Sequence, residues 1–223
     1  MEILIQNDYR VVNLTDGALL NEAINIVNDR KADGINFNFI RNFPSSIEGI
    51  ENAQNIKHIQ VNDYSWDFDY DVIHRLSTLE SIAIYTSDKK EINFKKFPLL
   101  KNVAITWRPK AISIFECVKL ERLFLGKYNG LDLQLFEPLI KLKYLRINTG
   151  SLKRLNGIEK FSNLESLMLM QASKLETIVG IEKLSNLKYL RIDNCRNVQD
   201  VYRIGSMPKS TEIVICGTTP RPE

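Results

Sequence analysis

The stretch GIEKFSNLESLMLM at residues 157–170 returns 23 residues later as GIEKLSNLKYLRID at residues 180–193. Both copies carry the same spacing of apolar residues, apolar-x-x-apolar-x-apolar, whose apolar residues we number as positions 1, 4 and 6 of a repeat. Internal similarity at a fixed period indicates an array of stacked units, each too small to bury its own apolar face. The extent of this array along the chain therefore decides the fold.

The same spacing occurs nine times along the sequence, in steps of 20 to 24 residues. The repeats begin at Ala32, Ile56, Leu79, Leu100, Leu120, Leu142, Leu164, Leu187 and Ser210. Positions 4 and 6 are large and apolar in all nine. Alternate side chains of an extended segment point to one face, so the pattern predicts nine short strands with one shared interior. Positions 3, 5 and 7 are then expected to face solvent on the concave side of a parallel sheet.

The segments LESLMLM and LKYLRIDNC resemble the strand signature of leucine-rich repeats. The preceding GIEKLSNL resembles the short repeats of internalins and of the leucine-rich-repeat regulatory subunit of a protein phosphatase. The resemblance covers about residues 32–216 and implies an α/β leucine-rich-repeat solenoid, with a curved parallel sheet and short 3₁₀ or irregular returns on the convex side. The family pattern places Asn or Cys at the ninth position, where only Cys195 fits. The residues that depart from it are Gly150, Ala172, Tyr128, Arg108 and Ser87.

Three segments are predicted along the chain. An open stack exposes its ends, and residues 1–31 are predicted to be an N-terminal cap formed by a hairpin and a helix. Thr15 and Asp16 are candidate helix caps, and Leu19, Leu20, Ala23, Ile24 and Val27 are expected to share the buried helix face. Residues 32–216 form the repeat array. Residues 217–223, which are polar and contain two prolines, are predicted to be a disordered tail.

Composition argues against several classes of protein. The chain has 223 residues, is 44% hydrophobic and carries a net charge of +3 with acids and bases interleaved, so no nucleic-acid or membrane partner is expected. No apolar stretch approaches the length of a transmembrane helix, and the N-terminus lacks the basic start of a signal peptide. Three cysteines without CxxC spacing favour a reducing cytoplasm.

No catalytic or cofactor-binding pattern is present in the sequence. A phosphate-binding glycine loop, HExxH and GxSxG are all absent. His58 and His74 are interpreted as solvated or hydrogen-bonded side chains, and the three cysteines as structural. Asp67, Asp69 and Asp71 imitate the start of a calcium loop, but Val72 replaces the required glycine and Thr78 the required glutamate. We therefore expect no enzyme activity, no cofactor and no metal.

Residues 62–71, NDYSWDFDYD, depart most from the repeat pattern. In one interpretation Trp66 and Phe68 fill the core of an oversized return loop while the aspartates stay in water. In the other, the segment is an acidic and aromatic lip that contacts a basic partner, because aromatic residues concentrate at interfaces. The residues alone leave both interpretations open.

The predicted concave positions of repeats five to eight carry residue types that folding does not require in solvent. Tyr, Arg, Met and Phe are enriched at protein interfaces, and Tyr and Arg frequently dominate binding energy. The three arginines of this set favour a partner surface with carboxylates or phosphates. The predicted partner-binding residues are Arg122, Phe124, Tyr144, Arg146, Met168, Met170, Tyr189, Arg191 and Asp193.

These observations predict a non-enzymatic module that binds a protein partner on its concave face. One hypothesis, by analogy with other small repeat proteins, is a bacterial immunity protein that masks a toxin. The phosphatase-subunit resemblance implies a second, a regulatory or targeting subunit of a larger enzyme. A substrate-recognition component of a ligase is a third.

Overall fold

The computed structural model describes residues 1–41, 46–62, 69–86 and 88–218. Within these residues the chain forms eleven strands and two α-helices, joined mainly by 3₁₀ turns. The elements in chain order are β1 Glu2–Gln6, β2 Tyr9–Asp16, α1 Leu20–Asn28, β3 Gly34–Arg41, β4 His58–Val61, α2 Tyr70–Ile73, β5 Ser81–Ile84, β6 Asn102–Thr106, β7 Arg122–Gly126, β8 Tyr144–Asn148, β9 Ser166–Met170, β10 Tyr189–Asp193 and β11 Glu212–Cys216. The nine strands β3 to β11 coincide with the nine predicted segments, so the repeat pattern is confirmed.

The chain divides into two compact units. The first comprises residues 1–105 and 109–114, and the second comprises residues 106–108 and 115–223. In the first unit β1 and β2 form an antiparallel hairpin, and β2 continues in parallel with β3, which is followed in order by β4, β5 and β6. In the second unit β7 to β11 pair in parallel in chain order. Residues 1–31 thus hold a hairpin and a helix, and their role as a cap stays a prediction.

Positions 4 and 6 form the interior of both units. From β3 to β10 these side chains are at most 3% exposed, because the strands of each unit pack side by side and the return segments cover their inner face. The last strand differs. Ile213 and Ile215 of β11 are 38% and 39% exposed, so the prediction that they face the interior is wrong in this repeat. The reason is that, among the described residues, β11 pairs only with β10.

The return segments follow the prediction of short 3₁₀ turns. Three of them share the sequence Gly-Ile-Glu and one turn geometry, at residues 49–51, 157–159 and 180–182. Each glycine has a positive φ of 93° to 98°, which favours glycine, and its N–H donates to the glutamate two residues later at 3.0 to 3.1 Å. A third copy of the opening motif therefore lies in the irregular early part of the array.

The chain ends show smaller differences from the predictions. Asp16 caps a 3₁₀ turn ahead of α1, and Leu19, expected on the buried helix face, is 36% exposed. Cys195 is buried at the ninth position, as the repeat pattern requires, and its backbone N–H donates to Thr218 Oγ1 at 3.1 Å. Thr218 is thus held in place, whereas residues 219–223 of the predicted tail lie outside the described residues.

A column of alternating charge occupies position 2, the residue just before each of the strands β3 to β10, and it begins with Arg10 in β2. It reads Arg10, Asp33, Lys57, Glu80, Lys101, Glu121, Lys143, Glu165, Lys188. Five pairs of neighbours within the units form ion pairs across adjacent strands, with N–O distances of 2.7 to 4.0 Å. Opposite charges side by side stabilise the parallel register, and like charges oppose it. This column was not predicted, although its alternation is visible in the sequence.

Reversing the charge of Glu165 tests the column. Glu165→Lys places a third positive charge between Lys143 and Lys188, so we expect a lower urea unfolding midpoint, with a larger decrease at 20 mM than at 500 mM NaCl because salt screens exposed charges. Adding Lys188→Glu should recover part of the loss. Equal midpoints of Glu165→Lys and the wild type at low salt would show that the column does not support the register.

Candidate partner-binding surface

The nine predicted partner-binding residues all lie in the second unit, on strands β7 to β10. They occupy the outward positions of these strands and are partly or fully exposed, as expected for the concave side. Strand pairing places Arg122, Tyr144, Ser166 and Tyr189 in one row, and Phe124, Arg146, Met168 and Arg191 in the next. We call the nine predicted residues together with Ser166 the arginine–aromatic face.

Each arginine of this face meets a different group. The guanidinium carbon of Arg122 lies 4.5 Å from the ring centroid of Tyr144, and that of Arg146 lies 4.7 Å from the ring centroid of Phe124. Both distances are within the range of cation–π attraction. Arg191 instead donates to the Asp193 carboxylate at 2.7 Å, and this hydrogen bond, with a further one to Tyr189, raises its pKa.

The positive charge of the face is only partly neutralised by its one acidic residue. Three arginines against one aspartate leave a net charge of +2. Arg191 is paired with that aspartate, whereas Arg146 is exposed and forms no ion pair among the described residues. Met168 and Met170 are half-exposed beside it, which adds apolar area without charge. The face therefore presents a guanidinium that packs on an aromatic ring, next to partly exposed apolar side chains.

The first unit presents a different surface at its equivalent positions, and the prediction that these face solvent is wrong at several of them. His58 and Ser81 at position 3, and Asn36 and Ala83 at position 5, are at most 3% exposed. At position 3 the reason is Tyr9, whose ring stacks on His58 with centroids 5.4 Å apart and whose hydroxyl accepts from Asn102 at 3.3 Å. The hairpin thus covers part of the position-3 row.

In the first unit, amide side chains at and near position 5 are joined to one another by hydrogen bonds. Asn36 donates to Asn13 at 3.2 Å, Asn62 donates to Asn36 at 2.9 Å, and Gln60 donates to Asn62 at 2.9 Å. Amide groups can donate and accept at once, so the chain satisfies its members internally. Sequence reasoning missed this network, because its members are unremarkable singly and only strand register brings them together.

The histidines serve as buried or half-buried hydrogen-bonding groups. His58 shares a hydrogen bond of 2.8 Å between Nδ1 and Ser81 Oγ, and burial lowers its pKa to about 4. His74 Nε2 accepts from the backbone N–H of Asn93 at 3.0 Å, and burial lowers its pKa despite nearby Asp71. The interpretation of both as hydrogen-bonded side chains is confirmed; His58 is fully buried, and the side chain of His74 is 14% exposed.

Cys117 and Cys195 lack the surroundings of a nucleophile. Burial raises the pKa of Cys117 to about 11 and also raises that of Cys195. A thiol that resists ionisation is a poor nucleophile. Cys216 is exposed.

The segment at residues 62–71 is described only in part. Trp66 and Phe68, on which its two interpretations turn, lie outside the described residues, as does Asp67. Tyr70 is buried, and its hydroxyl donates to Asp88 at 2.6 Å. Asp69 accepts from the N–H of Asp71 and caps α2. No group of three or more metal-ligating side chains occurs among the described residues.

Across the described ranges, no helix combines the length and the apolar character that crossing a bilayer requires.

Comparison with known proteins found similarity in structure only. No family model matches the chain, and no curated protein matches its sequence. An internalin of Listeria monocytogenes (inlF) superposes with a TM-score of 0.59 at 18% identity, covering 94% of this chain and 59% of its own. An internalin C2 of the same organism gives 0.55 at 16% identity, covering 78% and 76%. The leucine-rich repeat domain of the type III effector XopL gives 0.56 at 15% identity, covering 76% and 71%.

These similarities agree with the repeat spacing, the parallel strand order and the 3₁₀ returns. This chain spans only about three fifths of the inlF internalin, and at such identities the likeness concerns the fold. The protein is a leucine-rich-repeat solenoid, similar in fold to the internalins.

Proposed function

We propose that this protein is a non-enzymatic module that binds a protein partner through the arginine–aromatic face. The observation that carries the proposal is Arg146, which is exposed, stacked on Phe124 and without an ion pair among the described residues. An arginine held in place by an aromatic ring loses little freedom when it binds a partner. Exposed Tyr, Arg and Met together are the composition of interface centres.

The proposal confines binding to the second unit. In the first unit Tyr9 covers the row at His58, and the amide side chains bond one another. Such internally satisfied polar groups gain little from a partner, because a new hydrogen bond must replace an existing one.

By analogy with other small repeat proteins, we propose that the module neutralises its partner by covering its surface, as an immunity protein does with a toxin. A regulatory or targeting subunit remains the alternative. The two differ in a measurable way, since a neutralised partner loses activity in the complex and a regulated enzyme changes its substrate choice or location.

We further propose that the protein acts in the cytoplasm, without nucleic acid or membrane as partner. The alternating charge column supports the absence of a nucleic-acid or membrane partner, because each of its basic residues has an acidic neighbour. The three cysteines, which lack CxxC spacing, support the cytoplasmic location. Fractionation of the native host tests the location.

Removing the aromatic and cationic side chains tests the binding site. We expect Tyr144→Ala, Arg146→Ala and Tyr189→Ala together to weaken the partner complex by about 100-fold or more, because Tyr and Arg at interface centres each contribute on the order of 2 kcal/mol. The partner is first isolated by affinity capture from the host, and its affinity is then measured by calorimetry.

The matched control removes the same residue types from return segments. Tyr202 is 69% exposed and Arg196 is exposed, so Tyr202→Ala with Arg196→Ala should leave the affinity unchanged. A triple variant that folds and binds as tightly as the wild type would place the interface elsewhere.

A further inference from the structure

We infer that the segment of the partner seated on the arginine–aromatic face is an acidic peptide segment with an apolar side chain. Its carboxylate pairs with Arg146, and its apolar side chain packs on the solvent-accessible parts of Tyr144 and Tyr189, which flank Ser166. This inference rests on the proposed function and specifies the chemistry of the partner.

The row Tyr144–Ser166–Tyr189 provides the surface on which the apolar side chain packs. Strand pairing aligns the three residues on β8, β9 and β10. Adjacent strands are about 4.8 Å apart, so the two tyrosine backbones stand about 10 Å from each other. Ser166 is 8% exposed, so the side chains around it already cover it, whereas Tyr144 is 38% exposed and Tyr189 is partly exposed.

One of these tyrosines is held in place by the face itself. The guanidinium of Arg122, on the neighbouring strand β7, lies over the ring of Tyr144. Tyr144 nevertheless remains 38% exposed. An aromatic or branched aliphatic side chain that packs on Tyr144 and Tyr189 contacts two tyrosine rings, and aromatic contacts of this kind add to the burial of apolar area.

Arg146 provides the site for the carboxylate. It lies in the row next to Tyr144, on the same strand, two residues further along. Its stacking on Phe124 occupies one side of the planar guanidinium and leaves the N–H groups at its edge for a planar acceptor. A carboxylate accepts two parallel hydrogen bonds from this edge, which is the strong, oriented form of the ion pair.

The surrounding acids favour a peptide over nucleic acid. Asp193 already pairs with Arg191 at 2.7 Å, and Glu121 and Glu165 border the face at position 2. A phosphate backbone presents closely spaced charges and requires a continuous basic track, which these carboxylates interrupt. A peptide segment with one or two acidic side chains meets Arg146 and avoids them.

Selection from a displayed library of random dodecapeptides tests the inference. The immobilised full chain is used as wild type, as Arg146→Glu, as Ser166→Tyr and as the control Arg196→Glu, each checked for folding by its urea midpoint. We expect wild type and control to enrich peptides with Asp or Glu near an aromatic or aliphatic residue. A synthetic peptide of the enriched sequence should bind Arg146→Glu with an affinity at least about 30-fold lower than its affinity for the wild type.

Ser166→Tyr is expected to lose the apolar preference, because a third ring at this covered position displaces the rings of Tyr144 and Tyr189. Should this variant misfold, Arg146→Glu at its exposed position still decides the outcome. Enrichment that is absent, or that is the same in Arg146→Glu, overturns the inference. So does tighter binding of a single-stranded oligothymidine than of the acidic peptide at 150 mM salt, which favours nucleic acid.

The two proposals fail separately. If the isolated protein partner still depends on Tyr144, Arg146 and Tyr189 while no acidic peptide is selected, the binding surface stands and the acidic segment is wrong. If the partner binds the triple variant unchanged, the proposed function itself is wrong.

Discussion

Replacing Gly34 with alanine is expected to lower the free energy of unfolding of the first unit by about 3 kcal/mol, the upper part of the range for overpacking. Gly34 begins β3 and pairs with His58 of β4. A Cβ at this glycine would lie 2.2 Å from the carbonyl oxygen of His58 and 2.7 Å from its Cβ. The carbonyl belongs to the backbone of the adjacent strand, so it can move only if the strand pairing moves with it.

The measurement is urea unfolding followed by circular dichroism, with Gly205→Ala as the matched control. Nothing lies within 4 Å of a Cβ added at Gly205, and alanine loses less backbone entropy than glycine on folding. We expect this control to unfold at or above the wild-type midpoint. If Gly34→Ala also unfolds at the wild-type midpoint, β3 and β4 do not approach each other as closely as described.

Acidification is expected to destabilise the first unit through His58. Its pKa in the folded protein is about 4, and the ordinary value of the unfolded chain is 6.5. Between these values the unfolded state binds a proton that the folded state does not, so stability is complete above pH 6.5 and falls as the pH approaches 4. The expected loss is about 2 kcal/mol at pH 5 and roughly 3 kcal/mol by pH 4.

The variant His58→Gln separates this effect from that of the carboxylates. Glutamine does not titrate, so its unfolding free energy should change far less than that of the wild type between pH 7.5 and pH 5. Most of the carboxylate contribution lies below this interval. Two results would contradict the assignment. One is an NMR signal of the His58 imidazole that titrates near pH 6.5 in the wild type. The other is an equal change of unfolding free energy with pH in the two proteins.

Much of the fold could be predicted because it depends on one requirement. A strand covered on both sides must carry apolar residues at positions 4 and 6, and the sequence records that requirement at every repeat. Ile213 and Ile215 satisfy the pattern equally well, yet they are partly exposed. A pattern of residue types reports which side chains suit an interior, and it does not report whether a neighbouring strand is present.

The candidate surface was predictable only in part. The positions of Arg146 and Tyr144 follow from the same alternation that places the core, so strand register alone puts them on the outward side. The burial of His58 depends on Tyr9, which lies 49 residues earlier in the sequence. The turn at Asn7 and Asp8, both with positive φ, directs the hairpin, but no local pattern reveals where the tyrosine ring will rest.

The alternation of charge at position 2 also constrains how such an array can grow or shrink. Losing one repeat, for example the one that contains Lys143, would bring Glu121 next to Glu165 and set two negative charges on adjacent strands. Losing two consecutive repeats again places opposite charges on adjacent strands. Gain or loss of repeats is therefore least disruptive in even numbers. The pair of repeats, and not the single repeat, is the unit whose duplication or deletion keeps the charges alternating.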